Sequence, residues 1–208
     1  MNEERVIVYI DGFNLFYGMR ARAGRRYYWL DVRKLSVGLL KPNQTLVRVK
    51  YYTSPVFSTP SDPDKARRQA TYLEALKTLP DLEITFGKYQ QKLVNCFNCG
   101  ATWQVPEEKM TDVNIAVGLM RDAFEDKFDT ALLISGDSDL SGPVRTVRGL
   151  FSKKRVVVVF PPERRSAELA QRAHANFQIG RAKLAQSQFP DEVTSASGFV
   201  LKRPPSWS

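Results

Sequence analysis

The sequence predicts an α/β fold in three layers, with a central, mainly parallel sheet between two layers of helices. Residues 6–10, 131–134 and 156–160 are apolar without interruption and have the length of strands. Unbroken apolarity means that both faces of a strand are buried, which is typical of parallel sheets covered by helices. Segments with helical periodicity alternate with these strands, and that alternation is the pattern of α/β proteins.

The other regular elements follow from their residue patterns in chain order. A fourth strand is predicted around residues 46–52, where apolar and polar residues alternate. A helix is predicted over residues 63–78, because a proline suits its first turn and apolar residues recur on one side. Another helix begins at Asp112 with apolar residues at a period of 3.6, and a further one is predicted over residues 138–150.

Residues 87–109 interrupt this alternation and are predicted to form a β-hairpin with Cys96 and Cys99 at its tip. Past residue 186 the periodicity ends. The predicted organisation is one domain over residues 1–185, which includes the hairpin, followed by an extended tail over residues 186–208.

Composition restricts the class of protein. Of the 208 residues, 43% are hydrophobic and 25% charged, which suits a globular protein with a full core. Two cysteines cannot supply a disulfide framework. The first residues lack the pattern of a signal peptide, and no apolar run approaches the roughly 20 residues of a membrane span, so we expect a cytoplasmic protein without a membrane partner.

The net charge of +9 indicates which kind of partner the protein binds. Polyanions are the commonest partners of basic proteins, so the charge favours nucleic acid. It does not establish that choice, because a soluble protein can also be basic without binding a polyanion.

Aspartates follow the ends of two predicted strands. Asp11 comes directly after the first strand, and Asp137 and Asp139 follow the strand that ends at Ile134. Residues just after parallel strands lie at the carboxyl edge of the sheet, where α/β proteins form their sites. Asp112 would join them if the N-terminus of its helix lies over that edge.

These four carboxylates predict a site for a divalent cation. Like charges a few ångströms apart need a counter-charge, and hard oxygen ligands suit Mg²⁺ or Mn²⁺. Each aspartate also has an ordinary explanation, because Asp favours turns and helix N-termini, and Asn14 could simply begin a helix. The ordinary explanations do not account for the meeting of all four at one edge.

Three segments combine these residues in a recognisable order: Asp11-Gly12-Phe13-Asn14, Thr111-Asp112-Val113-Asn114 and Ser135-Gly136-Asp137-Ser138-Asp139. Together they resemble the three motifs of NYN domains of the LabA-like branch, which belong to the PIN-like superfamily of metal-dependent nucleases. The resemblance spans about residues 5–185. Its specificity lies in the order and spacing of the motifs.

The resemblance implies a PIN-like, Rossmannoid fold and a metal-dependent ribonuclease that acts on RNA. It also implies an acidic metal site with Asn14 lining it; the metal ligands would be Asp11, Asp112, Asp137 and Asp139. Family members often carry a further Asp where this chain has Gly118. The lack of that carboxylate would weaken binding of a second metal ion. His174, the single histidine, is predicted to be structural or on the surface.

Hydrolysis of a phosphodiester needs an activated water, an in-line approach and stabilisation of the leaving oxygen, and two cations about 4 Å apart can supply these. We therefore expect Asp11, Asp112 and Asp137 to hold the principal ion. Asp139 would serve a second ion or orient water, and Asn14 would contact water or phosphate.

Basic and aromatic residues near the first motif are candidates for contact with single-stranded RNA. Arginines contact the backbone, and aromatic rings stack on bases at about 1–3 kcal/mol per base. Alternatively, the rings belong to the core and only the arginines are exposed. A later lysine cluster could extend the groove or be a solvated surface. The candidate residues are Arg20, Arg22, Arg25, Arg26, Tyr28, Trp29, Lys153 and Lys154.

The pair Cys96 and Cys99 has the spacing of half a zinc knuckle, whereas structural Zn²⁺ needs four ligands. The sequence leaves open free thiols, a zinc ion shared across a symmetric homodimer, redox chemistry, and a site completed by His174 or a carboxylate.

Two other functions fit parts of the sequence. A haloacid-dehalogenase-like phosphatase needs a second Asp two residues after its nucleophilic Asp, and Phe13 stands there. A non-catalytic RNA-binding or regulatory scaffold with a vestigial acidic site fits the composition equally well. The intact acidic set favours an enzyme, a metal-dependent ribonuclease that cuts RNA internally or from an end.

Overall fold

A computed structural model of the chain describes residues 3–207, apart from the side chains at 89–91 and 104–108. The outermost positions of the predicted domain and tail, Met1, Asn2 and Ser208, lie outside the described residues. In chain order, the elements are β1 (Glu4–Asp11), α1 (Gly12–Ala23), α2 (Val32–Gly38), β2 (Gln44–Thr53), α3 (Lys65–Leu76), β3 (Leu82–Phe86), β4 (Lys88–Asn95), β5 (Thr102–Lys109), α4 (Thr111–Phe124), β6 (Thr130–Ile134), α5 (Ser141–Leu150), β7 (Arg155–Phe160), α6 (Ala167–Arg172), β8 (Ala175–Gln178), α7 (Arg181–Gln186), β9 (Glu192–Thr194) and β10 (Val200–Lys202). Short 3-10 turns cover Ser138–Leu140 and Pro205–Trp207.

The central sheet has six strands in the order β3-β2-β1-β6-β7-β8, and every neighbouring pair is parallel. The predicted mainly parallel α/β sheet is thereby confirmed. Strand β1 lies near the middle, with Ile10 paired to Tyr51 on one side and Ile134 on the other. Because the strands run the same way, their carboxyl ends share one edge, here called the carboxyl edge.

The two faces of the sheet bury separate apolar clusters, as a three-layer fold requires. Along β1, Val6, Val8 and Ile10 face the cluster formed with α1, α2 and α3. Ile7 and Tyr9 face the cluster formed with α4, α5 and α6. Full burial of one large apolar side chain contributes about 1.5–3 kcal/mol, so both clusters stabilise the position of β1.

The second face also contains a buried ion pair. Lys50 Nζ lies 2.6 Å from Asp122 Oδ2, and the Tyr9 hydroxyl donates to the same oxygen at 2.7 Å. Asp122 is fully buried and Lys50 is nearly so. Burial first, and then the negative charge of Asp122, raise the pKa of Tyr9. Asp122 is therefore neutralised inside the protein.

The C-terminal tail folds back over the first face of the sheet. It forms an antiparallel hairpin from β9 and β10 and ends with Trp207 packed against aromatic rings of that face. The Trp29 indole N–H donates to the carbonyl oxygen of Pro190 at 2.7 Å. The tail thus contributes to the core of the domain.

The predicted β-hairpin is present as β4 and β5, which pair antiparallel from Lys88 opposite Lys109 to Asn95 opposite Thr102. It begins just after β3 ends, and the chain then enters α4 through Met110, whose φ is 77°. Within residues 3–207, none of the helices has the length and apolarity that crossing a bilayer requires.

Candidate functional site

Asp11 is the last residue of β1 and caps the N-terminus of α1. Its Oδ1 accepts a hydrogen bond from the Asn14 amide at 2.9 Å, and its Oδ2 accepts one from the Ser135 hydroxyl at 3.0 Å. Only 4% of the residue is exposed. The carboxylate is therefore held in a fixed orientation by two neutral donors.

The ends of β1 and β6 are tied together at this point. The Gly136 amide donates to Asn14 Oδ1 at 2.9 Å, and the Asp137 amide donates to the Ser135 hydroxyl at 3.1 Å. Asn14 thus lies beside Asp11, and its predicted contact with water or phosphate stays a prediction. Ser135 is a site residue that the sequence analysis did not single out, although it opens the third motif.

Asp112 and Asp137 lie close enough to Asp11 to act on it electrostatically. Burial raises the pKa of Asp11 to about 7, the two neutral donors oppose this, and the negative charges of Asp112 and Asp137 add to it. The prediction that α4 would begin over the carboxyl edge is consistent with this position of Asp112. Asp112 and Asp137 are thus near enough to Asp11 for their charges to affect its titration.

Asp139 lies further along the same loop and is exposed. Its amide donates to Asp137 Oδ1 at 3.0 Å, and this hydrogen bond caps the 3-10 turn that contains Asp139. Its predicted role at a second ion stays a prediction.

The oxygen donors suit a hard divalent cation, but they are not gathered into a finished cage. In the part of the chain that the structure describes, no three His, Cys, Asp or Glu side chains form a group that could hold a metal ion. The charges of Asp112 and Asp137 reach Asp11 and raise its pKa, and carboxylate oxygens are the ligands that Mg²⁺ or Mn²⁺ prefers. Binding of an ion would have to draw the Asp112 and Asp137 side chains toward Asp11.

Two of the aromatic residues predicted to contact RNA belong to the core. Trp29 is fully buried, with its ring 5.6 Å from Phe189 and 6.3 Å from Trp207 between centroids. The prediction that Trp29 stacks on a base is therefore wrong, because the tail covers the ring. Tyr28 is 6% exposed and is among the residues that line a cleft.

The lysine pair predicted to extend an RNA groove lies on the wrong side of the molecule. Lys153 and Lys154 precede β7, so they lie at the edge where the strands begin, opposite Asp11. Lys154 is buried, and its ammonium donates to the Phe128 carbonyl at 2.6 Å and pairs with Asp126. Lys154 is therefore a structural residue, and this part of the prediction is wrong.

The four predicted arginines divide into two pairs. Arg20 and Arg25 line a cleft beside the first motif. Arg22 pairs with Glu163 at 3.0 Å, and the Arg26 guanidinium lies 5.9 Å from the centre of the Tyr27 ring. All four are exposed, but only the first pair faces the cleft.

This cleft, of about 580 Å³, is a feature that the sequence analysis missed. It lies between α1, α3 and the end of the tail. Its aromatic walls include Phe16, Tyr17 and Tyr51. The signal was present in α1, because Phe13, Phe16, Tyr17 and Arg20 recur at the spacing of one helix face.

Gly12 brings the cleft against the acidic edge. A Cβ atom there would lie 2.7 Å from the Tyr52 carbonyl oxygen and 2.8 Å from the Tyr51 hydroxyl, which is too close for any larger residue. Burial first, and then the charge of Asp11, raise the pKa of Tyr51. Tyr51 therefore stands between Asp11 and the cleft.

Gly118 has a packing role in this chain. A Cβ atom there would lie 2.3 Å from the Tyr52 hydroxyl oxygen. Tyr52 is 3% exposed and packs in the second apolar cluster. A tyrosine hydroxyl thus occupies the space beside α4 into which a side chain at this position would extend.

The cysteine pair forms the tip of the β4–β5 hairpin. The Cys96 amide donates to the Ala101 carbonyl and the Gly100 amide to the Cys96 carbonyl. Backbone hydrogen bonds from Cys99 and Asn98 lower the pKa of the Cys96 thiol. His174 is elsewhere, at the starting edge of the sheet, where its Nδ1 accepts from the Val156 amide. His174 therefore does not complete a site with the pair.

Comparisons with known proteins agree with this architecture. The family model of the NYN domain matches residues 5–180. The chain is 28% identical, over 240 aligned positions covering 98% of it and 75% of the relative, to 6-hydroxy-3-succinoylpyridine 3-monooxygenase HspA of Pseudomonas putida. A crystal structure of a Vibrio parahaemolyticus protein of unknown function matches with a TM-score of 0.56 at 21% identity, over 86% of this chain and 95% of that one. The structural likeness supports the PIN-like fold.

Proposed function

Because this chain belongs to the NYN domain family, a nuclease-like group, we propose that it is a divalent-metal-dependent ribonuclease that hydrolyses phosphodiester bonds of single-stranded RNA. One observation carries the proposal. Asp11 is buried beside Asp112 and Asp137, and its pKa is raised to about 7. Such a group of like charges gains most from an external cation.

The side chains have distinct tasks in this proposal. Asp11, Asp112 and Asp137 would hold Mg²⁺ or Mn²⁺, and a bound ion would supply an activated water and neutralise developing negative charge. Ser135 and the Asn14 backbone keep the Asp11 carboxylate in place. Asn14 Oδ1 accepts from Gly136, so its amide N–H groups are the part left to contact a phosphate. Asp139 would orient water or serve a second ion.

The basic surface supports RNA as the substrate. The net charge is +9, and two exposed arginines, Arg20 on α1 and Arg25 in the turn after it, line the cleft next to Gly12. Guanidinium groups pair with phosphates through charge-assisted hydrogen bonds, which hold a backbone near the carboxylates.

The deciding experiment is cleavage of an end-labelled single-stranded RNA by the wild type and by Asp11→Asn. Each is assayed with Mg²⁺, with Mn²⁺ and with chelator. Cleavage that needs metal and Asp11 supports the proposal. Binding without metal-dependent cleavage would favour the non-catalytic scaffold. Equal cleavage by both proteins would show that the activity does not come from the Asp11 site, as with a contaminating nuclease, and would contradict the proposal.

A second candidate is oxygenation of a small heteroaromatic acid. It is favoured by the enclosed aromatic cleft and by a relative named as a 6-hydroxy-3-succinoylpyridine 3-monooxygenase. The test is consumption of 6-hydroxy-3-succinoylpyridine in the presence of dioxygen and a two-electron reductant, followed by chromatography. No turnover with this compound would count against this candidate.

A further inference from the structure

The cleft beside the acidic edge has the dimensions of a small-ligand site. Its volume of about 580 Å³ lies within the usual range of such pockets. It opens next to Gly12, the residue after Asp11, and Tyr51 separates it from the Asp11 carboxylate. A ligand in the cleft would therefore have one end near the carboxylates.

Aromatic rings form the floor of the cleft. Phe16 and Tyr28 have ring centres 4.6 Å apart, and Trp207 meets Tyr28 and Tyr72 edge to face at 5.6 and 6.0 Å. Tyr17, also in the wall, is 41% exposed. Tyr28, Tyr72 and Trp207 are buried, so the accessible rings of the cleft include Phe16 and Tyr17. Accessible rings can stack on planar bases whatever their sequence.

The rim of the cleft carries positive charge. Among the described residues, no ion pair within 4 Å involves Arg20 or Arg25. Arg68 pairs with Asp62 at 2.5 Å and lowers the pKa of that carboxyl, and the charge of Arg25 adds to this effect. Burial raises the pKa of Tyr28, and the charges of Arg20 and Arg25 oppose that effect, which places both guanidinium groups near the Tyr28 hydroxyl. Arg20 and Arg25 therefore lie where they can bind a phosphate group in the cleft.

We propose that this cleft binds one nucleotide of the RNA next to the bond that is cut, with the base on the aromatic floor and the phosphate at Arg20 and Arg25. The inference rests on the proposed function for its cleavage step, but not for nucleotide binding itself. An aromatic ring system and a separate pair of cations match the two parts of a nucleotide. Because stacking on ring faces does not depend on base identity, we expect the subsite to accept all four bases.

The test is binding of AMP, CMP, GMP and UMP to the full chain in the presence of chelator, by calorimetry and by quenching of tryptophan fluorescence. All four should bind. Arg20→Ala and Arg25→Ala should each weaken binding about tenfold, as expected for loss of a charge-assisted hydrogen bond. Arg22→Ala and Arg26→Ala are matched controls on the same segment, outside the cleft, and should bind as the wild type does.

Further measurements distinguish the contribution of the base to binding from that of the phosphate. They also test nucleotide binding independently of RNA cleavage. Ribose 5-phosphate should bind more weakly than AMP, and Tyr17→Ala should reduce that difference. Asp11→Asn should bind AMP normally while losing cleavage. Nucleotide binding without any RNA cleavage would leave the subsite standing and contradict the nuclease.

Three results would overturn the subsite. The first is RNA cleavage by a protein that binds none of the four nucleotides. The second is equal weakening of binding by the Arg22→Ala and Arg20→Ala variants. The third is tight binding of an aromatic carboxylate, such as nicotinate, where nucleotides fail.

Discussion

Two buried aspartates in this molecule have opposite electrostatic surroundings. Asp122, on the inner face of α4, has the ammonium of Lys50 at 2.6 Å and the Tyr9 hydroxyl at 2.7 Å. Asp11, at the end of β1, receives hydrogen bonds only from neutral groups, and its charged neighbours include two further carboxylates. Within the described residues, no basic group lies within 4 Å of Asp11.

The difference separates a structural acid from a functional one. The charge of Asp122 is balanced inside the fold, so that residue needs nothing from the solvent. Asp11 is almost as deeply buried, but its balance has to come from a proton or from a cation outside the chain. Strongly perturbed acids without an internal partner are candidates for functional sites.

The largest effect on stability is expected from breaking the internal pair. Asp122→Asn leaves the buried Lys50 ammonium without its counter-charge, which should lower the free energy of unfolding by about 3–5 kcal/mol. Urea unfolding followed by circular dichroism measures this. Asp137→Asn is the matched control and should leave stability nearly unchanged, because Asn caps a turn as well as Asp does. Equal stability of the two variants would contradict the comparison.

The largest effect on activity is expected among the carboxylates around Asp11. Asp112→Asn should lower metal-dependent RNA cleavage by more than about 100-fold. Mutation of residues that only hydrogen-bond to metal ligands already lowers activity by about 10–100-fold, and loss of a ligand should cost more. Asp139→Asn should have a smaller effect, since its side chain is exposed and further along the loop. Single-turnover cleavage rates at saturating Mn²⁺ measure both. A larger loss in Asp139→Asn would reverse the assignment of ligands.

The packing of α4 against Tyr52 gives a smaller effect on stability. Gly118→Ala places a methyl group against the Tyr52 hydroxyl, and such overpacking should cost about 1–3 kcal/mol. Tyr52→Phe removes the hydroxyl and should recover part of that loss in the double variant. Gly149→Ala, on α5 with open space around it, is the control and should not destabilise. Additive effects of the two substitutions would show that the contact is absent.

The raised pKa of Asp11 predicts a pH dependence of stability without metal. The folded state keeps the Asp11 proton up to about pH 7, whereas the unfolded chain loses it near the ordinary value of 3.8. Between these values the folded state binds more protons, so this group makes stability fall as pH rises, by at most about 1.4 kcal/mol per pH unit. Asp11→Asn should remove that contribution, and added Mn²⁺ should reduce it. Thermal unfolding from pH 4 to 7, with chelator and with Mn²⁺, checks the sign; a slope unaffected by Asp11→Asn would refute it.

The smallest effect is expected at the cysteine hairpin. An unchanged activity there would indicate that the catalytic metal binds at the acidic edge and not at the cysteines. Replacing Cys96 and Cys99 by Ser should change the free energy of unfolding by less than about 0.5 kcal/mol, as is usual for surface positions. RNA cleavage should be unchanged. Metal analysis of the same protein, purified without chelator, shows whether zinc binds there. Loss of cleavage in the double variant would place a catalytic metal at the hairpin.

Much of the candidate site could be predicted from the sequence. Strand direction alone places Asp11 and Asp137 at one edge, because parallel strands end together. The helical period after Asp112 predicted the helix that carries it. Tyr28 and Trp29 show the limit of such reasoning, since an aromatic run fits an RNA surface and a core equally well until the tail that covers Trp29 is in place.

The sequence by itself determined the α/β class, the parallel sheet and the order of the acidic motifs, because these follow from local periodicity and chain direction. Only the tertiary structure decided which charges are paired inside the protein. It gave Asp122 a lysine from β2 and Lys154 an aspartate from the loop before β6, and it left Asp11 with neutral donors. The reason is physical: the energy of a charge depends on its nearest neighbours in space and on its burial, and distant parts of the chain supply both.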